Sequence, residues 1–439
     1  MNIQAILDEI EQIDSYKRFG KVERVVGLLI ESRGPKARIG EVCYIHTDKS
    51  SEKITAEVIG FDEEKVLLMP YSAVSNISSG CLVEATKQSL SIKVGRSLIG
   101  KVIDSTGNQL DGTKLPKGLI DYPTEQAPPN PLSRPRISEP IEVGVKAIDT
   151  MLTVGKGQRI GIFAGSGVGK STLMGMIARN SEADLNVIAL IGERGREVNE
   201  FIEKDLGEEG LKKSIVVVAT SDQSALMRIK GAYTATSISE YFRDLGYQVN
   251  LMMDSVTRVA MAQREIGLAI GEPPTTKGYT PSVFALLPSL LERTGTSDKG
   301  TITAFYTVLV DGDDFNEPIA DTTRGILDGH FILDRKLAGK GQFPAINILQ
   351  SVSRVMNEII DPDVLKHVQK IRSVLATYED NEELIQIGAY KKGSNQLVDE
   401  AIQLQPKIVE FLKQRMEENI DREDALKQLK ALASGGNSF

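Results

Sequence analysis

The sequence predicts an α/β protein in three parts: a small N-terminal β-barrel, a mainly parallel sheet core that carries a P-loop, and a C-terminal helical domain. Three patterns predict it. Short β-rich runs separated by turn-forming clusters fill residues 20–87, the signature of a small closed barrel. Apolar strand-like runs then alternate with helical segments, as in a parallel sheet covered on both faces. From about residue 362 the apolar positions keep helical spacing. At 439 residues the chain exceeds what one hydrophobic core organises. The expected divisions are an N-terminal helix at 1–19, the barrel at 20–87, the P-loop domain at 88–360 and the helical domain at 361–439.

In order along the chain, residues 2–17 place Ile3, Ile6, Leu7, Ile10 and Ile13 at steps of three and four, with Asp8, Glu9, Glu11 and Asp14 between them. This predicts an amphipathic helix. It is short for an isolated helix, so it needs a surface to dock on, in its own domain or on a partner. The barrel strands are expected at 22–30, 41–45, 54–59, 66–69 and 81–85, with turns at 33–35, 48–51, 60–62 and 78–80. Six of the seventeen prolines fall within 123–140, which predicts an extended connector there. Core strands are expected at 159–163, 187–191, 215–219, 249–253, 302–308 and 345–349. In the last part, Leu365, Val368, Ile371 and Leu375 form one helical stripe. Leu397, Ala401, Ile402, Ile408 and Leu412 form another, around a kink at Pro406. Asp421 is placed to cap the final helix, and the tail 434–439 is expected to fray.

Composition narrows the function. The net charge is −8, which argues against a general nucleic-acid binder with its basic face, so no specific nucleic-acid partner is expected. Cys43 and Cys81 are far apart in sequence. They exclude a disulfide scaffold, favour a reducing compartment and read as small buried hydrophobes. His46, His330 and His367 show no metal-ligand spacing. No basic-then-apolar leader opens the chain, and no stretch approaches 18 uninterrupted apolar residues. A cytoplasmic protein is expected, with membrane association through partners.

The chemistry concentrates in the core. Ala164-Gly165-Ser166-Gly167-Val168-Gly169-Lys170-Ser171 follows an apolar run and precedes the helix-like run beginning at Thr172. This is a P-loop with Ala in place of its first Gly. Its glycines let backbone N–H groups curve around phosphate oxygens. Lys170 then bridges the β- and γ-phosphates, and Ser171 ligates Mg²⁺. The helix N-terminus adds a favourable dipole. ATP and Mg²⁺ are the expected ligands. Run 249–253 ends in Asp254, where a second carboxylate for the metal shell belongs. Run 187–191 leads into Gly192-Glu193-Arg194-Gly195-Arg196, where Glu193 suits a residue that polarises attacking water. From spacing alone, Glu193, Arg194 and Arg196 read equally well as a solvated charged face.

Seven ordered blocks carry a resemblance: RISEPIEVGVKAID (136–149), FAGSGVGKSTLMGMIA (163–178), GERGREV (192–198), DSVTRVAMAQRE (254–265), GEPPTTKGYTPSVFALLPSLLERTG (271–295), DDFNEPIADTTRGILDGH (313–330) and GQFPAINILQSVSRVM (341–356). The chain resembles the catalytic subunits of rotary ATP synthases, more closely the ATPases of type III export systems, and most closely those of flagellar export. The resemblance spans residues 20–420. It implies that Glu193 is the catalytic glutamate, that Arg194 sits on the γ-phosphate side, and that Arg354 reaches into a neighbouring subunit's site. It places Phe343 on adenine, with Tyr390 a second candidate. Without it, both aromatics read as core. It also implies a hexameric ring, a basic coiled-coil stalk in the pore and a regulatory partner at the N-terminal helix. The stalk would meet the acids of loop 311–317. The remaining partners it implies are the export gate and export substrates or their chaperones, with the ring peripheral to a membrane export complex. Alternatives are an injectisome ATPase and a non-hydrolysing ring subunit, which would carry Gln at position 193. A terminator-type RNA translocase would need an RNA-binding front domain, but the barrel offers few aromatics, among them Tyr44, Phe61 and Tyr71. The final part, about 80 residues after 360, lacks the acidic lever of the synthase β subunit.

Overall fold

The computed structural model describes residues 17–47, 53–72, 76–310, 312 and 314–435. The helix expected at 2–17 lies outside them apart from Lys17, as do Asp311 and Asp313 of the acidic loop and the last four residues of the tail.

Six strands close the barrel: β1 (Phe19–Val26), β2 (Leu29–Arg33), β3 (Glu41–His46), β4 (Lys53–Asp62), β5 (Lys65–Pro70) and β6 (Leu82–Ser89). They join in the order β1-β2-β5-β4-β3-β6. Side-chain alternation turns Val22, Ile30, Ile45, Ile54, Val58, Leu68 and Val83 inward, together with Cys43 and Cys81. Both cysteines are buried and neither is in a disulfide, so they act as small hydrophobes. The run 22–30, expected as one strand, is a hairpin. Gly27 turns at φ +59°, where an L side chain is strained, and Val26 then pairs with Leu29.

The core sheet contains β7 (Val102–Asp104), β8 (Arg159–Ala164), β9 (Leu185–Ile191), β10 (Ser214–Ala219), β11 (Gln248–Asp254), β12 (Thr301–Leu309), β13 (Gly329–Leu333) and β14 (Val352–Ser353). Their order is β14-β13-β8-β12-β11-β9-β10-β7. Every pair on this path is parallel except β13 with β14. Five of the six expected core strands are present, but 345–349 is not one of them. Its apolar residues Ala345, Ile346 and Ile348 are buried, yet it touches the sheet through a single bridge, Ile346 with Leu333. Pro344 has no N–H to give a ladder. The Asn347 side chain accepts from the Leu349 and Gln350 N–H groups and turns the chain. The sixth position belongs instead to β13, a short run entered through Gly329-His330.

Alternation across these strands feeds two cores. Ile160, Ile162, Ile188, Leu190, Val216, Met252 and Phe305 share one with α1 (Lys170–Asn180). Val187, Ala189, Val217, Leu251, Met253 and Tyr306 share the other with α2 (Ala225–Asp244), α3 (Val256–Ala269) and α4 (Pro281–Leu291). After α5 (Pro318–Ile326), the last three helices are α6 (Pro362–Gln386), α7 (Gln396–Leu412) and α8 (Arg422–Ala433). Their stripes, including Val368, Ile371, Ala401, Ile408 and Leu429, join the α1 core. Helix α7 runs through Pro406. Asp421 caps α8 by accepting from the Glu423 and Asp424 N–H groups.

A buried ion cluster ties barrel to core. Lys230 of α2 reaches Glu57 of β4 at 2.8 Å and Glu125 of the proline-rich connector at 2.6 Å. The Tyr71 hydroxyl also donates to Glu57. Burial raises the Glu57 carboxyl, and Lys230 opposes that shift. Lys230→Met would leave Glu57 buried without its cation. It is expected to cost about 3–5 kcal/mol, read as a lower urea midpoint.

Candidate active site

The C-terminal ends of β8, β11 and β9 bring three charges together. Strand β8 ends at Ala164 and enters the P-loop, β11 ends on Asp254, and β9 leads to Glu193. Lys170 Nζ lies 2.5 Å from Asp254 Oδ1 and 3.5 Å from Glu193 Oε1. Burial works against the Lys170 ammonium. Asp254 first, and then Glu193, more than offset it and hold the pKa above the ordinary lysine value. The Glu193 carboxyl is pushed up to about 7, first by burial and then by the Asp254 charge, against the pull of Lys170. It also shares a hydrogen bond with Glu197, whose own carboxyl is lowered mainly by that bond.

Glycine geometry shapes the loop. Gly167 and Gly169 stand at φ +77° and +89°. A Cβ on Gly167 would meet nothing within 4 Å, so backbone conformation is what requires glycine there, and the space beside it is open. Gly165 and Val168 are buried, Ser166 is exposed, and Ser171 and Thr172 are half-buried at the start of α1. Thr172 bonds Asp205. The donor set suits the expected ligands. Ser171 offers a hydroxyl and Asp254 a carboxylate, hard oxygens of the kind Mg²⁺ takes alongside phosphate and water. Lys170 offers a desolvated cation of the kind that phosphates take.

Phe343 is half-exposed and lies against the loop: a Cβ on Gly169 would sit 3.6 Å from its ring. Phe343, Pro344, Gly169, Thr172 and Met176 line a cleft of about 980 Å³ with residues of the segment from Glu410 to Glu418. Tyr390 is not brought there. Its hydroxyl bonds Asp399 at 3.0 Å and the Asn395 carbonyl at 2.9 Å, in a separate hollow beside Gln396 and Leu397. The 390–395 turn holds the phenol at the tip of the α6–α7 hairpin, so the second stacking position is not built from Tyr390 within this chain. Arg194 is exposed and pairs with Glu197 at 3.5 Å. Arg196 pairs with Glu200 at 3.7 Å.

Arg354 also stands apart from the cluster. It follows β14, whose Ser353 pairs with Gly329, and Gly329 pairs with Ile160 at the start of β8. The P-loop begins beyond Ala164, four residues further on, or about 13 Å along the strand. The Arg354 backbone N–H donates to Asp328, and its exposed guanidinium donates to the Arg324 carbonyl at 3.2 Å. Arg354 is therefore at the opposite end of the sheet from Lys170.

Two residues at the site were not singled out from sequence. Thr307 of β12 is fully buried and donates its hydroxyl to Asp254 Oδ1 at 2.7 Å. A threonine inside an apolar strand carries no signal of this. Arg258 lies against Gly192, where an added Cβ would come within 2.8 Å of it. Its Nε is buried without a hydrogen-bond partner among the described residues. The available signal was its place four residues after Asp254 at the start of α3, which returns it to the strand ends.

Comparisons with known proteins give the family. Residues 144–353 match the nucleotide-binding domain of the ATP synthase alpha/beta family, and residues 22–87 match that family's beta-barrel domain. Residues 360–431 match the T3SS EscN ATPase C-terminal domain. The flagellum-specific ATP synthase of Bacillus subtilis (strain 168) is 66% identical over 433 residues, covering 98% of this chain and 99% of that one. A type 3 secretion system ATPase of Xanthomonas euvesicatoria is 48% identical over 413 residues, covering 94% and 93%. Among solved structures, the assembled ATPase EscN of the enteropathogenic E. coli type III secretion system is 46% identical. It superposes with a TM-score of 0.89 over 94% of this chain and 100% of that one. The same ATPase in complex with its central stalk EscO gives 0.87, again at 46% identity and with the same coverage. The chain belongs to the ATP synthase alpha/beta family, among its flagellum-specific and type III secretion ATPases.

Proposed function

We propose that the chain hydrolyses ATP at the Lys170–Glu193–Asp254 cluster, as one subunit of a ring, to energise protein export through a flagellar apparatus. The observation that carries this reading is the buried ammonium held between two carboxylates at the mouth of a P-loop. The P-loop amides and Lys170 bind the triphosphate, and Phe343 stacks on the adenine. Glu193, once ionised, orients a water and takes its proton. Thr307 and Lys170 both bond Asp254 on Oδ1, so Oδ2 is the oxygen available to a metal shell with Ser171. Mg²⁺ in that shell would neutralise charge on the phosphate oxygens. Arg194 flanks the γ-phosphate, and Arg354 serves the site of the next subunit.

Glutamate at position 193 opposes the non-hydrolysing alternative. The 66% identity to a flagellum-specific enzyme, against 48% to a secretion-system ATPase, favours the flagellar system. The ring and the stalk follow the EscN assembly and its complex with EscO. The acidic loop, with Asp314 and Glu317 among its described residues, is the surface we assign to the stalk. A regulatory partner at the N-terminal helix, the export gate and export substrates or chaperones complete the proposed set, and Mg²⁺-ATP is the proposed ligand. No described helix is long and apolar enough to cross a membrane, so attachment to a membrane complex would run through these partners.

Lys170→Ala removes the point charge on the phosphates. Steady-state ATPase is expected to fall by about 10²-fold or more. Activity above a tenth of wild type would contradict the phosphate-binding role.

A further inference from the structure

The cleft beside Phe343 is closed by the loop between α7 and α8, and one side chain fixes that loop. Gln414 is 5% exposed, and both ends of its side-chain amide are bonded. Its Oε1 accepts from the Lys146 N–H at 2.8 Å, and its Nε2 donates to the carbonyls of Gly144 at 2.9 Å and Glu418 at 3.0 Å. Its backbone N–H donates to the carbonyl of Phe343 at 2.9 Å. The same loop is held at the far end of the P-loop helix, where Arg179 donates to the Met416 carbonyl and Asn180 to that of Glu418. A fully satisfied buried amide fixes backbone position sharply, because each displaced bond strands a buried partner.

We propose that Gln414 is a positioning residue for the nucleotide base. Its side chain anchors the helical domain's loop to the 144–146 turn of the core, and that anchor sets where its own N–H holds Phe343 against the P-loop. Movement of α7 and α8 is thereby transmitted to the base end of the cleft. The phosphate end, built from β8, β9 and β11, is left in place. The inference rests on the reading that Phe343 stacks on the base.

The test separates the base from the phosphates. Gln414→Met keeps the length and removes the bonds. Gln414→Glu keeps the Lys146 bond and loses both donations. Binding of ATP and of inorganic tripolyphosphate is measured by competition with a fluorescent ATP analogue, on wild type, both variants and Phe343→Ala. Gln414→Met is expected to weaken ATP about tenfold or more. Tripolyphosphate should stay within about twofold and kcat at saturating ATP within about threefold, and Gln414→Glu, which turns a carboxylate oxygen toward two carbonyls, should weaken ATP at least as much as Gln414→Met. Because the two residues act as one unit, Phe343→Ala combined with Gln414→Met should weaken ATP by less than the product of the single effects. Loss of ATP and tripolyphosphate together would overturn the proposal, since Gln414 would then support the P-loop. So would unchanged ATP binding in both Gln414 variants while Phe343→Ala weakens it. A Phe343→Ala variant with an unaltered ratio of ATP to tripolyphosphate affinity would sink the base-stacking reading itself.

Discussion

Arg354→Ala is expected to lower ATP turnover per subunit by about 10³–10⁵-fold while leaving nucleotide binding to the P-loop near wild type. The guanidinium stands at the end of the sheet away from Lys170, exposed, with a backbone carbonyl as its hydrogen-bond acceptor. Nothing in that position lets it act on its own subunit's phosphates. A neighbour in a ring can receive it, and a cation delivered to the transferring phosphate lowers the barrier by about 4–7 kcal/mol. On this proposal the isolated subunit would hold an incomplete site. Activity per subunit should rise steeply with protein concentration as rings form, and the rise should be absent in Arg354→Ala. A steady-state assay across dilution checks both.

Glu193→Gln should stop turnover by about 10²–10⁴-fold and spare ATP binding. The amide keeps the shape but cannot take a proton from water. The pH dependence gives a separate reading. The Glu193 carboxyl sits at about 7 rather than the ordinary 4.5, so it is mostly protonated at pH 6 and mostly ionised at pH 8. With the ionised form as the proposed base, kcat/KM should climb with a limb near 7, reporting the free enzyme. The residual activity of Glu193→Gln should lack that limb. The raised pKa also has a stability sign. The folded state favours the protonated form, and that stabilisation is present below about 4.5 and lost as pH rises through about 7. Glu193→Gln should therefore be at least as stable as wild type at pH 8, which separates lost chemistry from lost fold. Loss of binding together with turnover would make Glu193 structural.

Much of this was legible in the residues because local signals agreed. The P-loop lies between an apolar run and a helical run, and the fold supplies that strand and helix as β8 and α1. Asp254 closes an apolar run, and parallel strands deliver such an end to the same edge as the P-loop. The strand order was not legible. Nothing local states that β12 lies between β8 and β11, because that order is set by long-range pairings such as Arg159 with Ala304 and Gln248 with Thr301. The run at 345–349 misled because burial alone makes an apolar run look like a strand. Pro344 and Asn347 decide against one, through a missing N–H and two local side-chain bonds that periodicity does not register. Tyr390 misled for a related reason. An aromatic suits both a base and a turn, and the local bond to Asp399 holds it in the turn. Thr307 and Gln414 act by satisfying partners brought near them only in three dimensions, so their spacing in the chain carries no mark of it.

A mixing experiment tests most directly the proposal that one active site is built from two subunits. Lys170→Ala chains lack the phosphate-binding ammonium but keep Arg354. Arg354→Ala chains have the reverse defect. Each alone is expected to be nearly inactive. Under conditions where subunits exchange, mixed rings contain interfaces with an intact P-loop on one subunit and an intact Arg354 on the next. ATPase activity should then return to a measurable fraction of wild type, largest near equal proportions. Activity that stays at the sum of the two variants at every ratio, with exchange verified by labelled subunits, would mean that Arg354 serves its own chain or no site at all.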